Sequence, residues 1–428
     1  MCGIIGVIAT RPAAPLVLET LRRLEYRGYD SAGIATLVDG RIERRRAPGK
    51  LVNLARVLEA TPLAGSTGIG HTRWATHGAP TKSNAHPHGT ALVALVHNGI
   101  IENHAELRAE LEAAGQVFTS ETDTETVAQL VDLHLKRGMD PVAAAGAALA
   151  RLEGAYALAM VFAGHPELLV GACNGAPLAI GFGEGEMFIG SDALALAPLT
   201  RRIAFLHDGD WAVVERDGAR FYDATNVEVQ REVKLTALSG ALVGKGNYRH
   251  FMEKELHEHP GVIGDTLHQM VDPASRAVRL PDLPFDPKTL ARVSLSACGG
   301  AYFAALAGRH WLEEVARLPA DVDVASEFRY REPPTIPNSL GLLVSQSGET
   351  ADTIAALNYM KSQGMPVLSV VNVPESTMAR YSDAVLQTVA GPEIAVASTK
   401  AFTAQLTVLA CFAIAVARIR GTIDAARE

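Results

Sequence analysis

The sequence predicts a two-part α/β protein. The chain has 428 residues, 48% of them hydrophobic, which is enough for two or three domains with buried cores. Up to about residue 238, many short strand-like runs with few helices favour stacked sheets covered by outer helices. From Val293 onward, near-continuous apolar strands alternate with helices, a pattern typical of a doubly wound parallel sheet.

In the first region, short apolar runs bounded by Gly, Asp or Asn are the predicted strands. Helical spacing of apolar residues predicts helices over Ala13–Glu25 and Thr124–Arg137. The strand-like runs are GIIGVIA, SAGIATLV, GTALVALVHNG, AYALAMVFA, LLVGACN, PLAIGF, MFIGSD and WAVVE.

In the second region, a Gly/Lys/Ser-containing stretch reads as a linker, and a helix follows from about Tyr248. RVSLSA, SLGLLVS, PVLSVVNV and DAVLQTVA are the predicted parallel strands, and a long helix ends the chain. The predicted division is therefore a domain over 1–238, a linker over 239–247 and a second domain over 248–428.

Composition excludes several classes of function. A net charge of −8 disfavours general nucleic-acid binding, and the basic run Arg41–Arg46 is expected to be a solvated loop or hairpin face. Four cysteines without a CxxC pair predict neither disulfides nor zinc and fit a reducing cytoplasm. The N-terminus makes a poor signal peptide, and the apolar run Leu406–Ala417 is too short to span a bilayer.

Cys2, in the opening MCGIIGVIAT, has two interpretations. Removal of Met1 would give one residue both a thiol, with a pKa of about 8.5, and an α-amine, with a pKa of about 7.7–8.0. The amine can then accept the thiol proton, as in N-terminal threonine nucleophiles. Alone, the MC pair favours the other interpretation, a structural cysteine in an edge strand.

Four polar motifs favour the nucleophile. In HTRWATHGAP, Arg73 is a fork suited to a carboxylate, and in SETDTE, Asp123 can hold an ammonium group. In VHNGIIENH, Asn98 can donate an amide hydrogen bond and Gly99 allows close backbone approach, as an oxyanion hole requires. The histidines in these motifs and in NAHPH suggest a metal, but no ligand-spaced helix or cysteine partner supports zinc.

With these motifs, residues 1 to about 240 resemble the class II glutamine amidotransferase domain, an N-terminal-nucleophile hydrolase fold with four αββα layers. The resemblance implies that Cys2 is the nucleophile, that Asn98 and Gly99 stabilise the oxyanion, and that no cofactor or metal is needed. Arg27 and Asp30, in EYRGYDSAG, are expected to be structural braces. The implied glutamine-binding residues are Arg73, Trp74, Thr76, His77, His86 and Asp123, with Trp74 gating ammonia exit.

Two strand-to-helix junctions of the second region are rich in hydroxyls. LLVSQSGETADT places three hydroxyls and a glycine in six residues, where loop N–H groups and the helix end can bind phosphate. A plain Ser/Thr helix cap would explain any one of them. EIAVASTKAFTAQ supplies a similar junction, in which Lys400 is expected to be a surface lysine or phosphate contact rather than an amine donor.

These stretches, together with YRHFMEKELHEHP, resemble the first sugar isomerase (SIS) domain of the glutamine–fructose-6-phosphate aminotransferase family. The resemblance implies a cytoplasmic, homodimeric enzyme of amino sugar biosynthesis that acts on L-glutamine and fructose 6-phosphate. The residues implied at the sugar phosphate are Ser345, Gln346, Ser347, Thr350, Val396 and Ser398.

Two departures from the family pattern leave alternatives open. The first strand-to-helix loop reads CGGA, so that Gly300 and Ala301 stand where hydroxyls are common. A second SIS domain, which in the family holds the isomerase residues, is not found before Glu428. The sequence therefore also admits a glutaminase without the isomerase step, or a regulatory protein that binds a sugar phosphate.

Overall fold

Three β-sheets organise the chain. The computed structural model describes residues 2–25, 28–75, 77–236 and 245–428. The chain divides into unit 1, Met1–Leu242, and unit 2, Val243–Glu428. Most of the predicted linker 239–247 lies outside the described residues.

Unit 1 contains fifteen strands and six helices among its described residues. Its helices are α1 (Ala13–Leu24), α2 (Leu51–Ala60), α3 (His104–Ala113), α4 (Asp123–Lys136), α5 (Pro141–Leu149) and α6 (Ala193–Leu196). Its strands are β1 (Gly3–Ile8), β2 (Ser31–Val38), β3 (Arg41–Pro48), β4 (Thr67–Arg73), β5 (His88–Gly89), β6 (Val93–Ile101), β7 (Gly154–Phe162), β8 (Leu168–Asn174), β9 (Ala179–Phe182), β10 (Met187–Gly190), β11 (Arg202–Phe205), β12 (Trp211–Glu215), β13 (Gly218–Tyr222), β14 (Glu228–Val229) and β15 (Lys234–Leu235).

These strands form two antiparallel sheets. One has the order β15-β11-β9-β10-β1-β4-β2-β3, and the other β14-β13-β12-β8-β7-β6-β5. Apolar side chains from both sheets share one core, to which β1 contributes Ile4 and β7 contributes Ala159. Helices α1, α2 and α6 cover the first sheet, and α3, α4 and α5 cover the second. The predicted four-layer αββα arrangement is confirmed.

Strand β1 is fully buried and internal to its sheet. It pairs with β10 on one side and β4 on the other, so Cys2 does not precede an edge strand and that alternative is wrong. Ile4 and Ile8 face the second sheet, while Ile5 and Val7 face the helices. Burying each such side chain contributes about 1.5–3 kcal/mol, which anchors the start of the chain.

Unit 2 is built on a five-stranded parallel sheet of order β17-β16-β18-β19-β20, and helices cover both of its faces. This order confirms the predicted doubly wound sheet. The strand order proceeds to one side from β16 to β17 and to the other side from β16 to β18, and ligands of such sheets bind at this switch between β16 and β18. The strands are β16 (Arg292–Ala297), β17 (Ala320–Val324), β18 (Ser339–Ser345), β19 (Val367–Val371) and β20 (Ala384–Gln387). The helices are α7 (Phe251–Met270), α8 (Gly299–Glu314), α9 (Ala325–Arg331), α10 (Ala351–Ser362), α11 (Thr377–Tyr381) and α12 (Lys400–Arg420).

Helix α12 contains the apolar run Leu406–Ala417. Of the helices in the described ranges, it alone has the length and apolar content to cross a membrane. Val408, Phe412 and Val416, however, lie in the core of unit 2 with side chains of α8 and the sheet. The run is therefore part of a buried helix, as its length predicts.

Candidate active site

Strand pairing brings Cys2 beside the end of β4. Gly3 of β1 lies opposite Thr72 of β4, so the residue before β1 faces the residues that follow Thr72. The backbone N–H of Trp74 donates to the Cys2 Sγ at 3.2 Å, and the same sulfur lies 3.5 Å from the Trp74 carbonyl oxygen. The thiol is thus held against the backbone at Trp74.

The environment of the thiol favours its protonated form. Burial raises the pKa of the Cys2 thiol, and nearby Asp30 raises it further. The Trp74 N–H and the charge of Arg73 lower the pKa, but the net direction is upward. A nucleophile in this state needs a base to accept its proton.

Asn98 and Gly99 approach Cys2 from β6, in the facing sheet. The Asn98 Nδ2 donates to the Cys2 carbonyl oxygen at 3.0 Å, and the Asn98 Oδ1 lies 3.0 Å from the His71 Nε2. Gly99 has φ of +119°, and a Cβ at this position would collide with the carbonyl of Ala155. Glycine is therefore required there, and the amide of Asn98 is fixed next to Cys2.

Arg73 is a buried cation at the end of β4. Its guanidinium donates to the carbonyls of Ala79, at 3.4 Å, of Gly78, at 3.3 Å, and of His77. Burial lowers the pKa of Arg73, and the nearby Cys2 and Asp123 raise it again. The positive charge thus lies within electrostatic reach of both of these residues.

Asp123 is a buried carboxylate at the first residue of α4. Its Oδ2 accepts from the Ile101 N–H at 2.9 Å, and its Oδ1 accepts from the Thr124 N–H at 3.0 Å. A carboxylate at a helix N-terminus is stabilised by the helix dipole. The side chain is fixed in place with a negative charge facing the region of Arg73.

The predicted histidines form a buried group behind these residues. His71 and His86 stack with ring centroids 4.2 Å apart, and the Thr124 hydroxyl contacts the His97 Nδ1 at 3.0 Å. Burial lowers the pKa of His71 to about 3 and that of His86 well below its ordinary value, so both rings are neutral. In the described ranges, no three or more His, Cys, Asp or Glu side chains are grouped to hold a metal.

Asp30 and two arginines of β3 brace the loops around the site. The Asp30 Oδ2 accepts from the Ala75 N–H at 2.9 Å, next to Trp74. Arg46 donates to the carbonyls of Ser83 and Ala85, and Arg44 donates to that of Pro87. The run Arg41–Arg46 is a hairpin strand, but the expectation of a solvated face is wrong for Arg44 and Arg46, which hold the loop that contains His86.

The remaining predicted residues lie at the rim or outside the description. The Trp74 side chain is 42% exposed and packs edge-on against Tyr29, with centroids 5.5 Å apart. His77 packs edge-on against His104 at 5.4 Å. Arg27 and Thr76 lie outside the described residues.

In unit 2, the predicted phosphate residues gather at the carboxyl end of β18. The Ser345 hydroxyl accepts from the Gly348 N–H at 3.1 Å and lies 3.2 Å from the Thr350 hydroxyl. The Ser347 hydroxyl accepts from the Glu349 N–H at 3.1 Å. Helix α10 begins directly afterwards, so hydroxyls and a helix N-terminus converge at one loop.

The loop before α12 is held from behind by carboxylates. Buried Glu393 accepts from the Ser398 hydroxyl at 2.9 Å and from the Thr399 N–H at 2.8 Å. Glu255, on α7, accepts from the Ile394 N–H at 2.6 Å and from the Ala395 N–H at 3.1 Å. These bonds fix the loop while its outer face is left to solvent.

Gly300, in the first turn of α8, lies close to the loop before α12. It follows β16, and a Cβ built on it would lie 3.8 Å from the Ser398 Cβ, an ordinary van der Waals distance. The start of α8 and the loop before α12 therefore meet, and the space at Gly300 accepts a small side chain.

Comparison with known proteins identifies both units. A family model described as "Glutamine amidotransferase domain" matches residues 73–198, and one described as "SIS domain" matches residues 290–415. A glutamine–fructose-6-phosphate aminotransferase (isomerizing) from Gluconobacter oxydans is 60% identical over 429 residues, covering all of this chain and 71% of the relative. The chain belongs to the glutamine–fructose-6-phosphate aminotransferase family.

Other members of this family are similarly close. The Brucella abortus member is 58% identical and the Zymomonas mobilis member 53% identical, each over 428 residues, all of this chain and 70% of the relative. Among solved structures, the C-terminal domain of the Francisella tularensis glucosamine-fructose-6-phosphate aminotransferase is 35% identical, with a TM-score of 0.42, over 44% of this chain and 52% of that one. A glutamine phosphoribosylpyrophosphate amidotransferase from B. subtilis is 17% identical, with a TM-score of 0.48, over 91% of both chains.

The prediction that Lys400 is a surface lysine is wrong. It is buried, not on the surface, and its Nζ forms an ion pair with the Glu258 carboxylate at 2.7 Å. Lys400 is the first residue of α12, and this end of α12 packs against α7, which contains Glu258. Lys400 is therefore a buried structural cation in this member of the aminotransferase family.

Sequence reasoning missed Glu255 and Glu258 of α7. Both lie in YRHFMEKELHEHP, where alternating charges suggest a solvated helix face. The signal that could have found them is their spacing of three residues, which places both on one side of a helix. Burial raises the pKa of Glu255, and its bonds to the Ile394 and Ala395 N–H groups oppose this effect.

Proposed function

We propose that this chain hydrolyses L-glutamine in unit 1 and binds fructose 6-phosphate in unit 2, and that the ammonia so released converts the sugar to glucosamine 6-phosphate. The observation that carries the proposal is the contact of Cys2 with Trp74 and Asn98, close to Arg73, whose charge interacts with both Cys2 and Asp123. Family membership and both matched domains support the same reaction.

The first chemical step is attack of the Cys2 Sγ on the carboxamide carbon of glutamine. Once Met1 is removed, the α-amine of Cys2 accepts the thiol proton, since the raised pKa of the thiol leaves it uncharged at neutral pH. The Asn98 Nδ2 and the Gly99 N–H stabilise the oxyanion that forms. The α-ammonium group of Cys2 then gives its proton to the amide nitrogen, the carbon–nitrogen bond breaks, and ammonia leaves.

The second step releases glutamate. Water attacks the thioester left on Cys2, and the same α-amine accepts a proton from this water. The C–S bond breaks, and the α-ammonium group returns its proton to the sulfur, which restores the thiol and the free amine. Atoms balance without an oxidant or a metal, because glutamine and water give glutamate and ammonia.

Glutamine recognition rests on its two charged groups. Arg73 would hold the α-carboxylate and Asp123 the α-ammonium, with Trp74, Thr76, His77 and His86 around them. The buried guanidinium and the buried carboxylate provide the complementary pair that a zwitterionic amino acid requires. Burial strengthens both attractions because the local dielectric constant is low.

In unit 2 the phosphate would lie against Ser345, Gln346, Ser347 and Thr350, and the sugar against Val396 and Ser398. The strand order supports this placement, because ligands of doubly wound sheets bind where that order reverses. We also propose a cytoplasmic location, which four cysteines without a CxxC pair support, and a homodimer, which rests on the family alone.

Two assays on one preparation test the proposal. Glutamate release and glucosamine 6-phosphate formation are measured with glutamine and fructose 6-phosphate, and intact mass reports whether Met1 is removed. We expect both products, loss of both with Cys2→Ala, and unchanged binding of fructose 6-phosphate to that variant. Glutamate without the amino sugar would restrict the function to a glutaminase, and sugar binding without glutamine turnover would favour a regulatory protein.

A further inference from the structure

His71, a buried residue of β4, contacts the side chain of Asn98 in the candidate active site. It lies in the middle of the buried strand β4 and is fully enclosed. Its Nε2 is 3.0 Å from the Asn98 Oδ1, and Asn98 in turn donates from Nδ2 to the Cys2 carbonyl oxygen. One imidazole, one carboxamide and the backbone of the nucleophile thus form a chain of two hydrogen bonds.

The direction of these bonds depends on the histidine proton. An amide oxygen accepts only, so the ring nitrogen that faces it must carry the hydrogen. If the hydrogen were on Nδ1, the bare Nε2 would favour a carboxamide rotated by 180°. The rotated amide would present its oxygen to the Cys2 carbonyl oxygen and its NH₂ group to His71.

The surroundings of the ring favour the Nε2–H form. The Cys2 carbonyl oxygen can only accept, so the Asn98 Nδ2 faces it and the Asn98 Oδ1 faces the His71 Nε2, while the Nδ1 lies against the backbone of His97. Burial lowers the pKa of His71 to about 3, and the charge of Arg73 lowers it further, so the ring is neutral and carries one N–H. The bond to Asn98 is where that single hydrogen is best used.

The ring itself is held in place from one side. His86 stacks on it at 4.2 Å with an angle of 14° between the planes, and the His86 Nδ1 accepts from the His97 N–H at 3.3 Å. A stacked ring in a fully buried strand has little freedom to turn. The Nε2 is therefore a fixed donor aimed at the Asn98 oxygen.

We propose that His71 is a positioning residue whose Nε2–H holds the Asn98 carboxamide with its Nδ2 turned toward Cys2. This inference rests on the proposed glutaminase reaction and identifies what prepares its oxyanion donor. His71 does not touch the substrate. It acts through Asn98 before the oxyanion forms, so its contribution lies in kcat and not in glutamine affinity.

The first test compares His71→Leu with His71→Gln in glutamine hydrolysis by the full chain. Because losing one oxyanion donor costs about 10²–10³ in kcat, we expect His71→Leu to lower kcat by about 10². The KM for glutamine should stay within about threefold, because ground-state binding is untouched. His71→Gln should recover kcat to within about tenfold of the original chain, since its amide N–H can replace the Nε2–H.

A double-mutant cycle with Asn98→Ala separates positioning from general damage. If His71 acts through Asn98, the double variant His71→Leu/Asn98→Ala should be no slower than Asn98→Ala alone. Losses of kcat that multiply would overturn the inference, and so would a His71→Gln variant as slow as His71→Leu. Alkylation of Cys2 by iodoacetamide, which needs no oxyanion donor, should proceed at the original rate in His71→Leu.

His88→Leu is the matched control for loss of a buried histidine. His88 is as buried as His71, burial also lowers its pKa to about 3, and its Nε2 contacts Thr122 rather than Asn98. We expect a fall in melting temperature similar to that of His71→Leu, with kcat within about threefold of the original. An equal loss of kcat in both variants would make His71 merely structural. Turnover by the unchanged chain tests the proposed function separately.

Discussion

The two sites of this chain are built in opposite ways. In unit 1, Arg73, Asp123 and His71 are buried, and polar contacts fix each of them. In unit 2, the proposed sugar contacts begin at Ser345, the buried last residue of β18, but most of them lie on loops, and the Val396 side chain is 69% exposed. The first site is part of a core, whereas the second is a surface that carboxylates support from behind.

The difference follows from the architecture of the sheets. Two antiparallel sheets that pack face to face share one core. Polar residues at the ends of neighbouring strands can therefore be enclosed between the two sheets. An open parallel sheet buries its strands on both faces and leaves its carboxyl edge to the loops. Mutations in unit 1 should therefore affect catalysis and stability together, while those in unit 2 should affect mainly ligand affinity.

The largest expected effect comes from Gly99→Ala in unit 1. A Cβ at φ of +119° would meet the Ala155 carbonyl, so the Asn98–Gly99 segment must move away from Cys2. We expect kcat for glutamate release to fall by at least about 10², the usual cost of one lost oxyanion donor. The matched control is Gly115→Ala, which has φ of +87° and no atom within 4 Å of the new Cβ.

In that control the left-handed strain is present without the collision. It should cost about 1 kcal/mol of stability and leave kcat unchanged. A normal kcat in Gly99→Ala would mean that the segment near Cys2 tolerates displacement, and the contrast between a rigid and an adaptable site would disappear.

Acid should destabilise unit 1 more than unit 2. Burial lowers the pKa of His71 and of His88 to about 3. Below about pH 6.5 the unfolded chain binds protons that the folded unit excludes, so this stability is present above pH 6.5 and lost as pH falls toward 3. Each such histidine contributes a slope of about 1.4 kcal/mol per pH unit in that window.

Calorimetry between pH 7 and 5, on the full chain and on its His88→Gln variant, measures this difference. Within residues 245–428, no histidine is buried, so the transition of unit 2 should move less. His88→Gln removes one titrating ring and should reduce the pH slope of unit 1. Equal slopes for both units would show that the buried histidines are not held neutral.

The regular elements of the fold were largely predictable from sequence. β2, β16 and β18 have the bounds of their apolar runs, because near-continuous apolar residues and flanking turn residues mark them clearly. α1 and α4 each begin or end within one residue of prediction. β17 and α9 were not predicted. The sequence of β17, ADVDV, has no continuous apolar run, and its side chains are half-buried.

Residue types in the candidate site were easier to predict than their partners. Motif chemistry pointed to Asn98 and Asp123, but not to the His71–Asn98 bond, since the two residues lie on strands of different sheets. Lys400 was misjudged for the same reason. Its partner Glu258 lies 142 residues away, and no local pattern reveals such a contact.

A smaller effect is expected from Glu255→Ala in unit 2. Its carboxylate accepts from the N–H groups of Ile394 and Ala395, and charged hydrogen bonds of this kind contribute about 1.5–3 kcal/mol. We expect the Kd for fructose 6-phosphate, measured by calorimetry, to rise about tenfold as the loop before α12 loosens. Glutamine hydrolysis without sugar should not change.

Asp265→Ala on the same helix is the control for Glu255→Ala, because this carboxylate is exposed. It should leave the sugar Kd unchanged. If both variants bind the sugar equally well, the loop does not depend on its buried support, and the two sites differ less than their burial suggests.

The smallest effect, and the one that would strengthen the weaker site, is Gly300→Ser. A Cβ at Gly300 lies 3.8 Å from that of Ser398, so the serine side chain fits between the start of α8 and the loop before α12. A new hydroxyl beside the sugar site should contribute one hydrogen bond of about 1 kcal/mol, lowering the Kd for fructose 6-phosphate roughly fivefold. Gly300→Ala has the same backbone effect without the hydroxyl and should leave the Kd unchanged. Equal affinities of both variants for fructose 6-phosphate would mean that Gly300 does not face the ligand. The start of α8 would then not be part of the sugar site.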